Sequence, residues 1–113
     1  MRVLIVEDEY YLADDLAHAL KKAGAEVLGP VGTLGDAERA VAAGSFDVAI
    51  LDMNLRGDMA FPIADRLTEE GIPFVVATGY NSASLPERFA GVPRVEKPFD
   101  PQAVIAALPG VVG

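Results

Sequence analysis

The chain has 113 residues, of which 51% are hydrophobic, and its formal net charge at pH 7 is −8. A chain of this length corresponds to one domain. The acidic balance argues against direct binding to nucleic acid or to a membrane surface, because both present negative charge. The absence of cysteine excludes disulfides, thiolate metal sites and cysteine nucleophiles. With neither a signal peptide nor an apolar run of roughly 20 residues, the sequence predicts one cytoplasmic domain over residues 1–113 without an output domain.

Apolar runs alternate with stretches of helical periodicity along the whole chain. The predicted strands cover residues 3–6, 26–31, 48–51, 74–77 and 92–96. The predicted helices cover residues 10–23, 33–43, 61–70 and 101–108, a further short helix over residues 81–89 is only weakly indicated, and residues 56–58 predict a turn. Two serines and Pro86 disfavour a regular helix over residues 81–89. This alternation predicts an α/β fold of the doubly wound (βα)5 type, with a five-stranded parallel sheet covered by helices on both faces.

Capping residues support several of these helix ends. Either Thr33 or Asp36 caps the second helix, and Asp100 caps the last one. Gly24 and Gly44 follow the first two helices, where glycine commonly ends a helix. The connections between strands and helices are therefore short, as expected for βαβ units.

Polar residues follow four of the five predicted strands. Glu7 and Asp8 follow the first strand, and Asp52 follows the third. Thr78 follows the fourth strand, and Lys97 follows the fifth. The carboxyl ends of parallel strands lie at one edge of the sheet, where open α/β folds bind their ligands. Three carboxylates at one place repel one another, so this edge requires a cation or a carboxyl group with a raised pKa.

This set of residues favours phosphoryl transfer. Carboxylate oxygens suit magnesium or manganese, and the backbone carbonyl of Asn54 is a further candidate ligand. Asp52 is the candidate nucleophile that takes a phosphoryl group onto its carboxylate. Lys97 is placed to hold the transferred oxygens. Thr78 offers a hydroxyl that can donate to a bound phosphoryl group, although it is also an ordinary residue for a strand end.

The residues and their spacing resemble the receiver domain of bacterial two-component response regulators. The matching motifs lie at residues 6–9, 51–55, 77–79 and 95–99, so the resemblance covers essentially the whole chain. It implies a flavodoxin-like receiver fold, with Asp52 as the phosphorylated aspartate and Glu7 and Asp8 as acids of a magnesium site. It also implies that Thr78 is a switch hydroxyl, that Lys97 contacts the phosphate, and that the peptide bond after Lys97 is cis. The implied phosphodonor is a histidine kinase or a histidine phosphotransfer protein.

A narrower resemblance lies in residues 73–80, which are similar to the FATGUY subgroup of largely single-domain receivers. Val76 stands where that subgroup has phenylalanine. The resemblance implies kinases of the HWE or HisKA2 type and an irregular segment after the fourth strand. Arg94 occupies the position where most receivers carry a tyrosine or phenylalanine that turns inward on activation. Tyr80 is therefore a switch candidate, although an ordinary half-buried aromatic residue is an equal interpretation.

Three functions fit this sequence. The first is a phospho-accepting switch that changes its binding to a downstream protein, or drains phosphate from a shared kinase, and that catalyses only its own phosphorylation and dephosphorylation. The second is an interaction module with a receiver fold that takes no phosphate. The third is a phosphatase of the haloacid dehalogenase type, which needs a second acid two residues after the nucleophile, where this chain has Asn54. A receiver excised from a longer protein would have the same sequence.

Overall fold

The computed structural model describes residues 1–79 and 85–108. The strands are β1 Arg2–Val6, β2 Glu26–Val31, β3 Val48–Asp52, β4 Asn54–Leu55, β5 Asp58–Met59, β6 Phe74–Thr78 and β7 Arg94–Glu96. The helices are α1 Tyr10–Lys22, α2 Leu34–Ala43, α3 Phe61–Glu69 and α4 Pro101–Ala107. Over the described residues, no helix is both long enough and apolar enough to span a bilayer.

Five of the strands form one parallel sheet in the order β2-β1-β3-β6-β7. This confirms the predicted doubly wound (βα)5 architecture and its flavodoxin-like strand order. The strand order reverses direction between β1 and β3, because β1 pairs with β2 on one side and with β3 on the other. Doubly wound sheets bind ligands at such a reversal, just beyond the carboxyl ends of the strands.

The sheet separates two hydrophobic cores, and each central strand contributes to both. Val3 and Ile5 of β1 pack with α1 and α4, whereas Leu4 and Val6 pack with α2 and α3. Strand β3 alternates in the same way and is buried along its whole length. Burial of each large aliphatic side chain contributes roughly 1.5–3 kcal/mol relative to its exposure. The continuous apolar runs in the sequence follow from this burial on both faces.

The caps of the helices lie close to their predicted positions. Thr33 caps α2, because its hydroxyl accepts a hydrogen bond from the backbone N–H of Asp36 at 3.1 Å. Asp100 caps α4 by accepting from the backbone N–H of Gln102 at 2.9 Å. Gly44 ends α2 at a φ of +68°, a left-handed conformation that favours glycine.

The described part of the segment after β6 is not a regular helix, in agreement with the weak helical signal over residues 81–89. In its described part, only Glu87–Phe89 is helical, as a single 3₁₀ turn after Pro86. Proline has no backbone N–H and disfavours a helical residue before it, so a helix cannot continue through this position. The turn is tied to α3 by a stacked pair of Phe61 and Phe89, with ring centroids 6.1 Å apart. Residues 80–84 lie outside the described part of the chain.

A small hairpin follows β3 and was not predicted beyond its turn. Strands β4 and β5 pair in antiparallel fashion around Arg56 and Gly57, which have φ angles of +54° and +92°. Strand β7 is shorter than predicted and begins after Pro93, whose carbonyl still accepts from the N–H of Val76 at 2.9 Å. The peptide bond between Lys97 and the following proline is cis, as the resemblance implied.

Candidate functional site

The carboxyl ends of β1, β3 and β7 bring Glu7, Asp52 and Lys97 into direct contact. The Lys97 Nζ atom lies 3.0 Å from Glu7 Oε1 and 2.9 Å from Asp52 Oδ2. Glu7 and Asp52 are each only 4% exposed. Burial of a charge is costly unless the charge is paired, so the lysine provides the cation that these two acids require. Three of the residues predicted for this site are thus brought together.

A third carboxylate, that of Glu9, also contacts Lys97. Its Oε1 atom lies 2.9 Å from Nζ, and the Glu9 side chain is 62% exposed. An ammonium group has three N–H donors, and here each has a carboxylate partner. Burial lowers the pKa of Lys97, but the hydrogen bonds to Glu9, Asp52 and Glu7 outweigh it and hold that pKa above its ordinary value. Sequence reasoning gave Glu9 no role at the site, although Glu9 directly follows Asp8 in the chain.

The β4–β5 hairpin holds the two aspartates through backbone hydrogen bonds. The N–H of Asn54 donates to Asp52 Oδ1 at 3.0 Å, and the N–H of Arg56 donates to Asp8 Oδ2 at 2.9 Å. Burial raises the pKa of Asp8, but hydrogen bonds involving Glu7, Asp52 and that backbone N–H outweigh burial and lower it. The hairpin therefore orients the acids and favours the ionised form of Asp8.

The acids form a group that fits a divalent metal. Glu7, Asp8 and Asp52 each offer an oxygen atom, and these atoms lie within 4.8 Å of one another. Burial, followed by the hydrogen bond with Asp52, raises the pKa of Glu7 to about 8. A bound cation relieves this crowding of negative charge, and hard oxygen donors suit magnesium. Asn54 lies beside the group, but the role of its carbonyl as a ligand stays a prediction.

A cavity of 340 Å³ opens onto these residues from the solvent. It is lined by Asp8, Glu9, Asp52, Asn54, Arg56, Gly57, Gly79 and Lys97. A Cβ atom placed on Gly79 would have no heavy atom within 4 Å, so the space beside it is open. The cavity therefore gives a phosphate-sized group access to Asp52 and to Lys97 together.

Thr78 lies at the same edge of the sheet but is oriented differently. Its side chain is buried, and its hydroxyl donates to the backbone carbonyl of Val95 at 3.4 Å. The hydroxyl is thus engaged with β7, and Thr78 is not among the residues that line the cavity. Arg94 is exposed on β7. Tyr80 lies outside the described residues, so its role as a switch stays a prediction.

Comparison with known proteins assigns the chain and its fold to one family. Residues 3–109 match the model of the response regulator receiver domain, and the chain belongs to this family. It is 39% identical to SdrG from Sphingomonas melonis, whose solution structure has a TM-score of 0.83 and is matched over 95% of this chain and 94% of SdrG. A solution structure of the BeF3-activated conformation of SdrG is 40% identical, with a TM-score of 0.76, over 93% of this chain and 89% of that one. The narrower likeness to the FATGUY subgroup stays a prediction.

Two curated relatives are longer than this chain. It is 32% identical to the transcriptional regulatory protein PdtaR of Mycobacterium tuberculosis over 95% of this chain and 54% of PdtaR. It is also 32% identical to the sensory transduction protein LytT of Bacillus subtilis over 92% of this chain and 45% of LytT. The chain therefore spans about half the length of these curated relatives. Its likeness to them concerns the receiver domain.

Proposed function

We propose that this receiver is a phospho-accepting switch in a two-component phosphorelay, with Asp52 as the phosphoacceptor. The observation that carries this proposal is the buried Asp52 carboxylate, which lies 2.9 Å from Lys97 Nζ and faces an open cavity. Glu7 and Asp8 lie beside it in an arrangement that fits a metal. These are the parts that phosphoryl transfer requires: a nucleophile, a cation for the transferred oxygens, and ligands for a divalent ion.

The proposed phosphodonor is a phosphohistidine of a histidine kinase or a phosphotransfer protein. A carboxylate oxygen of Asp52 attacks the phosphorus, and the new O–P bond forms as the P–N bond to the imidazole breaks. The imidazole leaves with the bonding electron pair on the nitrogen that carried the phosphorus. A proton on its other ring nitrogen makes this leaving group neutral. Lys97 donates to an oxygen of the transferred phosphoryl group. Magnesium, when bound by the acids, would neutralise negative charge and orient that group.

The proposed response to phosphorylation involves Thr78 and strand β7. A phosphoryl group adds about 1.5 to 2 negative charges and three strong acceptor oxygens. The Thr78 hydroxyl lies at the end of β6, next to β3, and its present bond to Val95 is long at 3.4 Å. If the Thr78 hydroxyl donated to a phosphoryl oxygen in place of the Val95 carbonyl, the contact between β6 and β7 would change. The existence of an activated conformation of SdrG, a relative of similar length, supports this proposal.

The partners belong to the same proposal. Resemblance to the FATGUY subgroup favours a kinase of the HWE or HisKA2 type. The phosphorylated domain then binds a downstream protein, or it drains phosphoryl groups from a kinase that it shares with other receivers. The net charge of −8 favours a protein partner over nucleic acid.

Intact mass spectrometry after incubation with acetyl phosphate or phosphoramidate tests the phosphoacceptor. The protein is incubated with magnesium and, separately, with a chelator. We expect one phosphoryl adduct that requires magnesium and is absent from Asp52→Asn. Asp58→Asn is the matched control, since Asp58 is an exposed aspartate on the adjacent hairpin and is expected to keep the adduct.

The alternative functions predict different results in the same experiment. A phosphate-free interaction module gives no adduct with small donors or with a cognate kinase. A phosphatase of the haloacid dehalogenase type gives many turnovers on small phosphate esters. We expect the adduct and no such turnover, because the position two residues after Asp52 carries Asn54 and not a second acid.

A further inference from the structure

We infer that Glu9 is a positioning residue that holds the Lys97 ammonium over Asp52. This inference rests on the proposed function of the site and adds a residue to it. Lys97 Nζ contacts Glu9 Oε1 at 2.9 Å, although 88 residues separate the two in sequence. The contact joins the start of α1 to the loop after β7, across the mouth of the cavity that both residues line.

The Glu9 side chain does not cap the helix that it begins. Glu9 is the N-cap residue of α1, yet its side chain accepts no hydrogen bond from the first turn of that helix. Serine, threonine, aspartate and asparagine are the residues that best cap a helix. Glutamate is a poorer cap, but its longer side chain reaches Lys97.

The other two acid partners of Lys97 have a second task that Glu9 lacks. Glu7 and Asp52 belong to the group of acids that could hold a metal, and Glu9 is outside that group. Three carboxylates among the described residues contact Lys97 Nζ. Of these, Glu9 contacts the lysine without also belonging to the candidate metal group.

Lysine has a flexible stem with a large rotamer entropy, so an ammonium group with fewer partners spends less time at one position. Without Glu9, the Lys97 ammonium group should sample positions away from Asp52. Phosphoryl transfer depends on the placement of the groups that contact the transferred oxygens. Loss of the Glu9 carboxylate should therefore slow phosphorylation without weakening the metal site.

The test compares Glu9→Ser and Glu9→Gln with the wild-type protein. Serine restores a good helix cap but has no carboxylate, and glutamine keeps the length and one acceptor oxygen but lacks the charge. Because an exposed ion pair is worth up to about 1 kcal/mol, we expect phosphorylation by acetyl phosphate to slow about 5-fold in Glu9→Ser. Glu9→Gln should fall between Glu9→Ser and the wild type.

Two further readouts separate positioning from a general structural effect. Magnesium affinity should change less than phosphorylation rate, and ¹⁵N NMR of the Lys97 ammonium group in the unphosphorylated protein should show a shifted or broadened signal. Asp14→Asn is the matched control, because Asp14 is an acid of α1 that pairs with His18 at 3.5 Å. This control should keep the wild-type rate and the wild-type Lys97 signal.

Each outcome of the comparison has a distinct meaning. A wild-type rate in Glu9→Ser, with an unchanged Lys97 signal, would overturn the role of Glu9 and leave the proposed function intact. An equal loss of rate in Asp14→Asn would also overturn it, because net charge would then explain the effect. Absence of any adduct on the wild-type protein, even with a cognate kinase, would overturn the proposed function itself.

Discussion

Asp52 and Thr78 end neighbouring strands of the sheet and are both nearly buried, but their side chains are held in different ways. Both oxygens of Asp52 are engaged, one by the Lys97 ammonium at 2.9 Å and one by the backbone N–H of Asn54 at 3.0 Å. The Thr78 hydroxyl has one long bond of 3.4 Å to the carbonyl of Val95. Hydrogen bonds weaken with length, and a neutral one is weaker than one between charged groups.

This difference separates the edge of the sheet into two regions. At the ends of β1, β3 and β7, the Lys97 ammonium contacts the buried carboxyl groups of Glu7 and Asp52, so the groups proposed for phosphoryl transfer are already assembled before a phosphoryl group arrives. At the end of β6, the hydroxyl is attached weakly and can exchange its partner at little cost. We interpret the first region as the part that performs the chemistry and the second as the part that responds to it.

The largest expected effect comes from the cation at the centre of the assembled region. Lys97→Gln removes the charge that pairs with Glu7 and Asp52 and that would hold the phosphoryl oxygens. Loss of a group that stabilises developing charge costs about 100-fold or more in rate, so phosphorylation by acetyl phosphate should fall by that amount. Stopped-flow or mass-spectrometric rates would measure it. Lys21→Gln, at the exposed end of α1, is the matched control and should keep the wild-type rate.

A second prediction concerns the stability of the assembled region as a function of pH. The pKa of Glu7 is raised from 4.5 to about 8, so between these values the folded protein keeps a proton that the unfolded chain has lost. The free energy of unfolding should therefore decrease as pH rises through this window in metal-free buffer. The lowered pKa of Asp8 acts at lower pH, below its ordinary value of 3.8.

Chemical denaturation at several pH values measures this dependence. Glu7→Gln should flatten the decrease, whereas Glu69→Gln, at the exposed end of α3, should leave it as in the wild type. Magnesium should also reduce the decrease, because binding to ionised acids favours the folded form at high pH. A slope that is the same in Glu7→Gln and in wild type would show that Glu7 ionises normally in the folded protein.

The smallest effect on stability is expected in the weakly attached region. Thr78→Val removes the hydroxyl and keeps the shape, so the free energy of unfolding should change by about 1 kcal/mol or less. The protein should still take a phosphoryl group on Asp52. Its NMR response to BeF3 should be lost at Val95 on β7, whereas Thr78→Ser should retain that response. A wild-type response in Thr78→Val would mean that the hydroxyl does not transmit phosphorylation to β7.

The main parts of the fold and of the site could be predicted because they depend on simple patterns. Strands buried on both faces produce continuous apolar runs, and parallel strands place their carboxyl ends at one edge. The positions of Asp52 and Lys97 after two strands therefore predicted that both lie at one edge, where the structure places them in contact across 45 residues. Their roles in phosphoryl transfer stay predictions until the chemistry is measured.

Other features have no such pattern. The β4–β5 hairpin has strands of two residues each, which are too short for any periodicity. Glu9 satisfied a local rule as an acid at the start of a helix, so nothing in the sequence indicated its distant partner. The orientation of the Thr78 hydroxyl is a side-chain torsion, which hydrophobic patterning does not determine. Pro86 did indicate that residues 81–89 would not form a regular helix, but no pattern in the sequence predicted the short 3₁₀ turn at Glu87–Phe89.

The most direct test of the account is to locate the phosphoryl group on the wild-type chain. The protein is phosphorylated with acetyl phosphate and magnesium, reduced with borohydride to convert an aspartyl phosphate to homoserine, and digested for peptide mass spectrometry. The account predicts homoserine at position 52 and at no other acid, and none when magnesium is chelated. Reduction at Asp8, at another acid, or at none under conditions that modify a known receiver would contradict it.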